Sequence, residues 1–319
     1  MMNQNETVHW FKLVFDICSV LMLFLSFHVI KLFLKPFKSS FNCNDYTVNM
    51  PFRPSTVTNF HLILLSLILP LMTIIATEIF KTIFTRNPRH KKKSIIIYKV
   101  KFLHEKILQF PEQIGNLYIS CGSFFFGLLS TAVITDFGKV VVGRLRPNFI
   151  DVCKPDLNPY THLCKLNKTF LIPEVDFKCT AENKESVEES RLSFPSGHSS
   201  LSFYSMIFLI LFVNHTWKCR NFGLLPRMVQ ISFFMMAFFT ALSRIADNKH
   251  HPTDVLAGAT LGTITSICSF ICMTNYLKKT TAKTRYSTLS CHQYDQENVQ
   301  EAHKDINEND HKYTTSFNI

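Results

Sequence analysis

Three short polar islands interrupt an otherwise greasy chain. They are Lys139-Val-Val-Val-Gly-Arg-Leu-Arg146-Pro147, then Pro195-Ser196-Gly197-His198, then Ser243-Arg244 followed by His250 and Asp254. Together they carry cations, two imidazoles, a carboxylate and a glycine-containing turn, the equipment for gripping a phosphate and attacking it. In the third island Pro252 suits the first position of a helix, so His250 stands on the turn just before it. Asp254, one turn on, is placed to accept the imidazole N–H, fix the tautomer and leave the other nitrogen free as a nucleophile. Arg244 adds a cation. In the second island Ser196 suits an N-cap and Gly197 lets the backbone approach a ligand. Free N–H groups at a helix start bind phosphate, which would set His198 beside the oxyanion as a proton donor. In the first island Lys139 and Arg146 are two helical turns apart, so they are expected on one face of a helix that Pro147 ends. Arg can grip phosphate oxygens bidentately.

Each island alone also has a bland explanation. Lys and Arg at helix ends snorkel to the bilayer surface, and Arg144, two positions off the Lys139/Arg146 face, reads that way. Ser and Gly are ordinary capping residues. His251 reads as a neighbour of the nucleophile, and Asp247 and Lys249 as a solvated turn. One His pair and one Asp make a poor metal shell among repelling cations, so no metal or other cofactor is expected.

The elements that must hold these islands are apolar. Of 319 residues 47% are hydrophobic and 31 are Phe. A bilayer span needs about 20 mostly apolar residues, and six stretches qualify: Leu13–Phe33, Phe60–Phe84, Ile114–Ile134, Leu201–Val213 (long enough if it begins near Ser196), Met228–Ala246 and Val255–Leu277. The expectation is an all-α, polytopic membrane protein with six transmembrane helices and a helical-bundle catalytic core. Charged residues beside such spans are expensive and read as functional by default. The first apolar run contains Asp16 and Lys31 and does not resemble a cleavable signal peptide.

The net charge of +11 does not point to nucleic acid, because of where the charge falls. Basic residues crowd between spans two and three (Arg86, Arg89, Lys91, Lys92, Lys93, Lys99, Lys101, Lys106), between four and five (Lys218, Arg220, Arg227) and after six (Lys278, Lys279, Lys283, Arg285). The loop from Asn148 to Phe194 has six Lys/Arg against eight Asp/Glu. The positive-inside rule then puts both termini in the cytoplasm and the loops at 36–58 and 148–195 outside or in a lumen. The organisation expected is an N-terminus over 1–12, a six-span unit over 13–279 and a disordered polar tail over 280–319, which cannot bury a core. Cys18, Cys121, Cys268 and Cys272 fall in spans and read as packing residues. Cys43, Cys153, Cys164 and Cys179 fall in the external loops, where disulfides are permitted but not paired by sequence. Asn167 opens a glycosylation acceptor in the same loop.

Taken together, Lys-x6-Arg-Pro, Pro-Ser-Gly-His and Ser-Arg-x5-His-x3-Asp resemble the three-part signature of the type 2 phosphatidic acid phosphatase superfamily. The flanking runs Gly-Arg-Leu-Arg-Pro-Asn-Phe-Ile-Asp, Phe-Pro-Ser-Gly-His-Ser-Ser and Lys-His-His-Pro-Thr-Asp-Val-Leu-Ala-Gly are similar to those of the animal lipid phosphate phosphatases. The resemblance runs from the first span to the sixth and excludes the tail. It implies that Lys139, Arg146 and Arg244, with Ser196 and Gly197, bind phosphate. It implies that His250 forms a phosphohistidine, His198 protonates the departing lipid oxygen, and Asp254 holds His250. It implies metal-independent hydrolysis of phosphatidic acid, lysophosphatidic acid, sphingosine 1-phosphate or ceramide 1-phosphate. The partners expected are the lipid phosphate and the bilayer, at the plasma membrane, with association of copies left open. Rival readings are a phosphatase of soluble sugar phosphate or polyisoprenyl diphosphate, a non-catalytic lipid-phosphate-binding scaffold, and a transporter.

Overall fold

The computed structural model describes residues 7–43, 45–85, 97–101, 107–166, 170–173, 177–217 and 223–282. Asn167, the basic residues Arg86 to Lys93 and Lys106, Lys218, Arg220, and the tail from 283 onward lie outside them. In chain order the elements are β1 Thr7–His9, α1 Trp10–Phe33, β2 Phe41–Asn42, α2 Asn59–Ile63, α3 Leu69–Thr85, β3 Ile97–Lys101, β4 Ile107–Pro111, α4 Glu112–Val142, α5 Phe149–Cys153, α6 Thr161–Leu166, β5 Leu171–Ile172, α7 Lys184–Glu189, α8 Gly197–Thr216, α9 Leu225–Ala246 and α10 Pro252–Ala282. A π-helical turn, Leu64–Ile68, joins α2 to α3. The fold is all-α. Six helical segments are long and apolar enough to cross a membrane: 11–30, 59–81, 113–142, 197–216, 225–246 and 252–275. The small amount of sheet is peripheral, β1-β3-β4 at one end and β2-β5 in the loops.

Helix α8 is the axis. It has the lowest mean hydropathy of the six spans, 1.3, and the largest buried share, 56%. Its serines explain both values: Ser202 bonds back to the Ser199 carbonyl of α8 itself, and the others find partners on surrounding elements. Ser205 Oγ donates to the Ser66 carbonyl in the π turn (2.7 Å), Tyr204 OH to the Phe124 carbonyl of α4 (2.8 Å), and Ser199 Oγ to the Val255 carbonyl of α10 (2.8 Å). Ser200 Oγ shares a hydrogen bond with Thr135 of α4 (2.8 Å). Buried away from water, these hydroxyls would be costly without such partners. The α8/α10 crossing is close because α10 presents Gly258 and Gly262. A Cβ at Gly258 would stand 2.5 Å from the Ser196 carbonyl, and one at Gly262 would run into the Ser200 carbonyl and the Tyr204 amide. Small residues four apart let helix backbones approach in a membrane. Ile74, Phe124, Tyr204, Phe208, Phe212 and Met273 pack on one side of α8, and Met206, Leu209, Val213, Phe233 and Ala237 on the other.

The loop between α4 and α8 folds into a cap with its own core of Phe41, Val48, Leu145, Phe149, Cys153, Ile172 and Phe177. Disulfides Cys43–Cys164 and Cys153–Cys179 staple it, the first joining it to the segment after α1. The Arg191 guanidinium lies 5.0 Å from the Phe149 ring and 5.9 Å from Phe177, within cation–π range.

Two expectations fail here. Lys139 and Arg146 do not share a helix face. Helix α4 ends at Val142 because Gly143 takes φ +56°, where a Cβ would also collide with the Phe37 carbonyl, and Arg146 follows in irregular chain. Three of the span cysteines, Cys18, Cys268 and Cys272, are exposed on the bundle's outer face rather than packed, and Cys121 is part-buried.

Candidate active site

The three islands meet at one end of the bundle, at the start of α8, the end of α4 and the α9–α10 turn. The backbone ties them. The Ser196 N–H donates to the Asp254 carbonyl (3.1 Å), the Arg146 N–H to the Ser190 carbonyl (2.8 Å), and the Ser193 N–H to the Arg144 carbonyl (2.9 Å). The turn that carries the nucleophile candidate is anchored on Arg244, whose carbonyl accepts from the N–H groups of both Lys249 (3.0 Å) and His250 (3.2 Å).

His250 is 4% exposed. Its Nδ1 faces the Ser193 carbonyl at 2.7 Å. A carbonyl only accepts, so Nδ1 carries the proton and Nε2 carries the lone pair. Burial, then the charges of Arg146 and Lys139, push the His250 pKa well below its usual value of 6.5; Asp254 and the Ser193 carbonyl oppose this without reversing it. The ring is therefore neutral at physiological pH, as a nucleophile must be.

The direct Asp254–His250 hydrogen bond expected from spacing is not made. The Asp254 carboxylate is 4.0 Å from His250 Nδ1. Its lone pairs are taken by Ser193 Oγ (2.6 Å), the His251 N–H (3.0 Å), His251 Nδ1 (3.1 Å) and Arg144 Nη1 (2.6 Å). The cause is local: Asp254 sits three residues after His251, where an acidic side chain reaches back to the N–H at the helix entrance. Arg144 is thus not a snorkelling residue. It ion-pairs with a fully buried carboxylate and also donates to Thr253 Oγ1 (2.7 Å).

Asp247 and Lys249 are not a solvated turn either; they are 5% and 9% exposed. Asp247 accepts from Arg244 Nη2 (2.8 Å) and from Thr56 N–H (2.8 Å) and Oγ1 (2.7 Å). Lys249 Nζ stands 3.8 Å over the Phe52 ring. Burial, then the neighbouring Arg146, lowers its pKa, with Glu189, Arg244 and Asp247 also acting on it. Arg53 Nη1 donates to the Ala246 carbonyl and Asn248 Nδ2 to the Pro51 carbonyl, both at 3.0 Å, so residues 51–58 strap the turn that carries His250.

Arg244 is 2% exposed and is held by Ser243 Oγ and Asp247. Lys139 ion-pairs with Asp136 at 3.1 Å and lies beside Gly197, where an added Cβ would be 3.1 Å from Nζ. Arg146 Nη2 reaches Glu189 at 3.1 Å. Ser196 occupies the N-cap position of α8, yet its side chain does not cap. Its Oγ, together with Arg146 Nε, His198 Nε2 and Asn148 Oδ1, is buried without a hydrogen-bond partner. Buried orphans cost free energy (about 1–3 kcal/mol each). Ser266 Oγ, in α10, is the fifth such atom among the described residues; three of the five belong to residues singled out in the sequence, which is the pattern left by a polar ligand's place. The charges of Arg244, Lys139 and Arg146 all act on His198. Among the described residues no group of three or more His, Cys, Asp or Glu is placed to share a metal ion. Sequence reasoning missed Ser193, Arg144, Lys249 and Asn148. Arg144 inside the first island, Asn148 after Pro147 and Lys249 next to His250 had a positional hint; Ser193 had none.

A cationic, water-poor niche with a neutral, oriented imidazole and a second histidine defines a phosphate-handling membrane protein. Residues 121–278 match the PAP2 superfamily, and the chain belongs to that family. It is 30% identical over 267 residues to phospholipid phosphatase 1 of Rattus norvegicus, covering 84% of this chain and 86% of that protein. It is 30% identical over 271 residues to phospholipid phosphatase 2 of Homo sapiens, covering 84% and 85%. Against a putative phosphatidate phosphatase of Drosophila melanogaster it is 33% identical over 251 residues, and the match spans 78% of this chain and 65% of that relative's length. No solved structure matches it.

Proposed function

We propose that this protein is an integral-membrane lipid phosphate phosphatase. Its substrates are the phosphomonoesters of phosphatidic acid, lysophosphatidic acid, sphingosine 1-phosphate or ceramide 1-phosphate, and its reaction needs no metal. The observation that carries the reading is the set of buried, partnerless atoms on Arg146, Ser196 and His198 around a neutral His250. The relatives named as phospholipid and phosphatidate phosphatases support the substrate class. Apolar helices around the niche suit a phosphate carried on acyl chains.

In the first step the oxygens of the bound phosphate lie among Lys139, Arg146, Arg244, Ser196 Oγ and the N–H groups at the start of α8. His250 Nε2 attacks phosphorus, the bond from phosphorus to the lipid oxygen breaks, and His198 Nε2 delivers a proton to that oxygen. His198 donates from Nε2 as an imidazolium, which the incoming anionic phosphate stabilises. In the second step His198, now neutral, accepts a proton from water as the water attacks the phosphohistidine. The P–N bond breaks and inorganic phosphate leaves. Cations aimed at the developing charge supply much of the rate.

The site faces the outside or a lumen, both termini face the cytoplasm, and the plasma membrane is the expected location. The charge bias of the loops supports this orientation, and so do two disulfides on the site-bearing end. Purified protein should release phosphate from these lipids in chelator, and His250→Ala should not. Equal rates for the two proteins would contradict the proposal.

A further inference from the structure

Ser193 lies outside the three signature islands, yet it touches all of them. It is fully buried. Its N–H donates to the Arg144 carbonyl at 2.9 Å. Its own carbonyl accepts from His250 Nδ1 at 2.7 Å. Its hydroxyl donates to Asp254 Oδ2 at 2.6 Å and stands 3.5 Å from His250 Nδ1. Two residues later Pro195 opens the turn into α8, and a Cβ at Gly138 of α4 would stand 2.9 Å from that proline ring. The segment holding Ser193 is therefore wedged between α4 and α10.

The carboxylate cannot serve the nucleophile directly at 4.0 Å. Arg144 holds its Oδ1, and the His251 N–H and Nδ1 share Oδ2 with Ser193, so it does not swing toward the ring. The short path from Asp254 to His250 is through one residue: carboxylate to hydroxyl, and peptide carbonyl to imidazole. An O–H···O⁻ bond of 2.6 Å is in the strong, charge-assisted range.

We propose that Ser193 is the positioning residue of the nucleophile, its hydroxyl locked by Asp254 so that its carbonyl holds the His250 ring with Nε2 aimed at phosphorus. The proposal rests on the reading of His250 as the nucleophile. It reassigns Asp254 from a direct partner of His250 to an anchor that acts through Ser193. It also gives Arg144 a role, because its guanidinium neutralises the anchor and its backbone carbonyl accepts from the Ser193 amide.

A buried serine in a purely structural role would need a hydroxyl partner just the same. Its loss would lower stability and leave the turnover of the folded fraction intact. The two roles separate in a kinetic cycle on the full chain in detergent with phosphatidic acid, comparing wild type, Ser193→Ala, Ser193→Thr, Asp254→Asn, Ser193→Ala/Asp254→Asn and His250→Ala. Rates are scaled to the monodisperse protein recovered. Misplacing a nucleophile by about 1 Å costs up to about 100-fold. Ser193→Ala should lower kcat about 10- to 100-fold, with KM and inhibition by inorganic phosphate changed less than about threefold. Ser193→Thr, which keeps the hydroxyl, should recover most of the loss. In the Asp254→Asn background Ser193→Ala should cost less than about threefold, because the bond it removes has already been weakened. If the alanine variant does not fold, Ser193→Cys replaces it under the same criteria. Wild-type kcat in Ser193→Ala, or an equal loss with and without the Asp254 charge, overturns the positioning role alone. An active His250→Ala overturns the nucleophile assignment and this inference with it.

Discussion

Helices α1 and α8 are both long enough to cross a bilayer, and they do opposite jobs. Helix α1 has a mean hydropathy of 2.3 over its span with 6% of it buried; α8 has 1.3 with 56% buried. The more apolar helix is the one that touches least protein. Along α1, Phe15, Leu21, Met22 and Leu25 are all more than half exposed. Tyr118 OH of α4 ties it to the bundle by donating to Asp16 at 2.7 Å. Helix α8 instead carries serines and a tyrosine that bond to α4, α10 and the π turn, and its first residues line the site. In a bilayer, hydropathy reports contact with lipid, whereas polarity reports contact with protein. The helix that carries the proposed site is accordingly the one that least resembles a membrane span.

That contrast can be broken most severely at the α8/α10 crossing. Gly262→Leu drives a side chain into the Ser200 carbonyl and Tyr204, so the variant should fail to yield monodisperse protein in detergent. Leu25→Ala on α1, at 63% exposure, should yield wild-type protein and activity. Recovery of folded, active Gly262→Leu would show that the crossing is looser than described. A milder intrusion is Gly197→Ala. The added methyl meets the end of the flexible Lys139 side chain at 3.1 Å, which can move aside. Folding should survive while KM for lipid phosphate rises about tenfold, the size of a charge-assisted contact (about 1.5–3 kcal/mol). A titration of kcat/KM against lipid concentration checks it.

Next in size is a pH effect. The proposed attack needs neutral His250. Its pKa lies well below 6.5, chiefly through burial and then through Arg146 and Lys139, so the acid limb of kcat/KM that belongs to His250 should fall below pH 6.5. Arg146→Gln removes one of the charges that depress it, so in the residual activity of that variant the limb should move to higher pH. A limb unmoved by the substitution would remove Arg146 from the electrostatics of the ring. The smallest effect belongs to α1: Tyr118→Phe should cost about 0.6 kcal/mol of stability in detergent, the average for such a bond in a membrane protein, with kcat unchanged.

The spans were legible because hydropathy and length are local properties, and so were the helix start at Pro252 and the cations and histidines of the islands. Other features depended on chain far away in sequence. Gly143 stops α4 early because Phe37, more than a hundred residues before it, fills the space a Cβ would need. Spacing alone therefore placed Arg146 on a helix it does not join. Asp254 was expected to bond His250, but its partners are Arg144, from inside the first island, and Ser193, from just before the second. No local pattern marks a serine two positions before a proline as the contact of a histidine 57 residues later. Lys249 and Asp247 looked solvated because charged residues near a loop usually are; the strap from residues 51–58 buries them. The cap's core and its two disulfides likewise join segments separated by 121 and 26 residues, a pairing that cysteine counting cannot supply.

The central claim is that His250 carries the phosphoryl group between lipid and water. Purified wild-type protein, mixed with phosphatidic acid labelled in its phosphate and quenched in alkali within the first turnovers, should carry a base-stable, acid-labile label on His250. His250→Ala should carry no label and release no phosphate. Phosphate release without a labelled histidine, or label and turnover persisting in His250→Ala, would contradict the account.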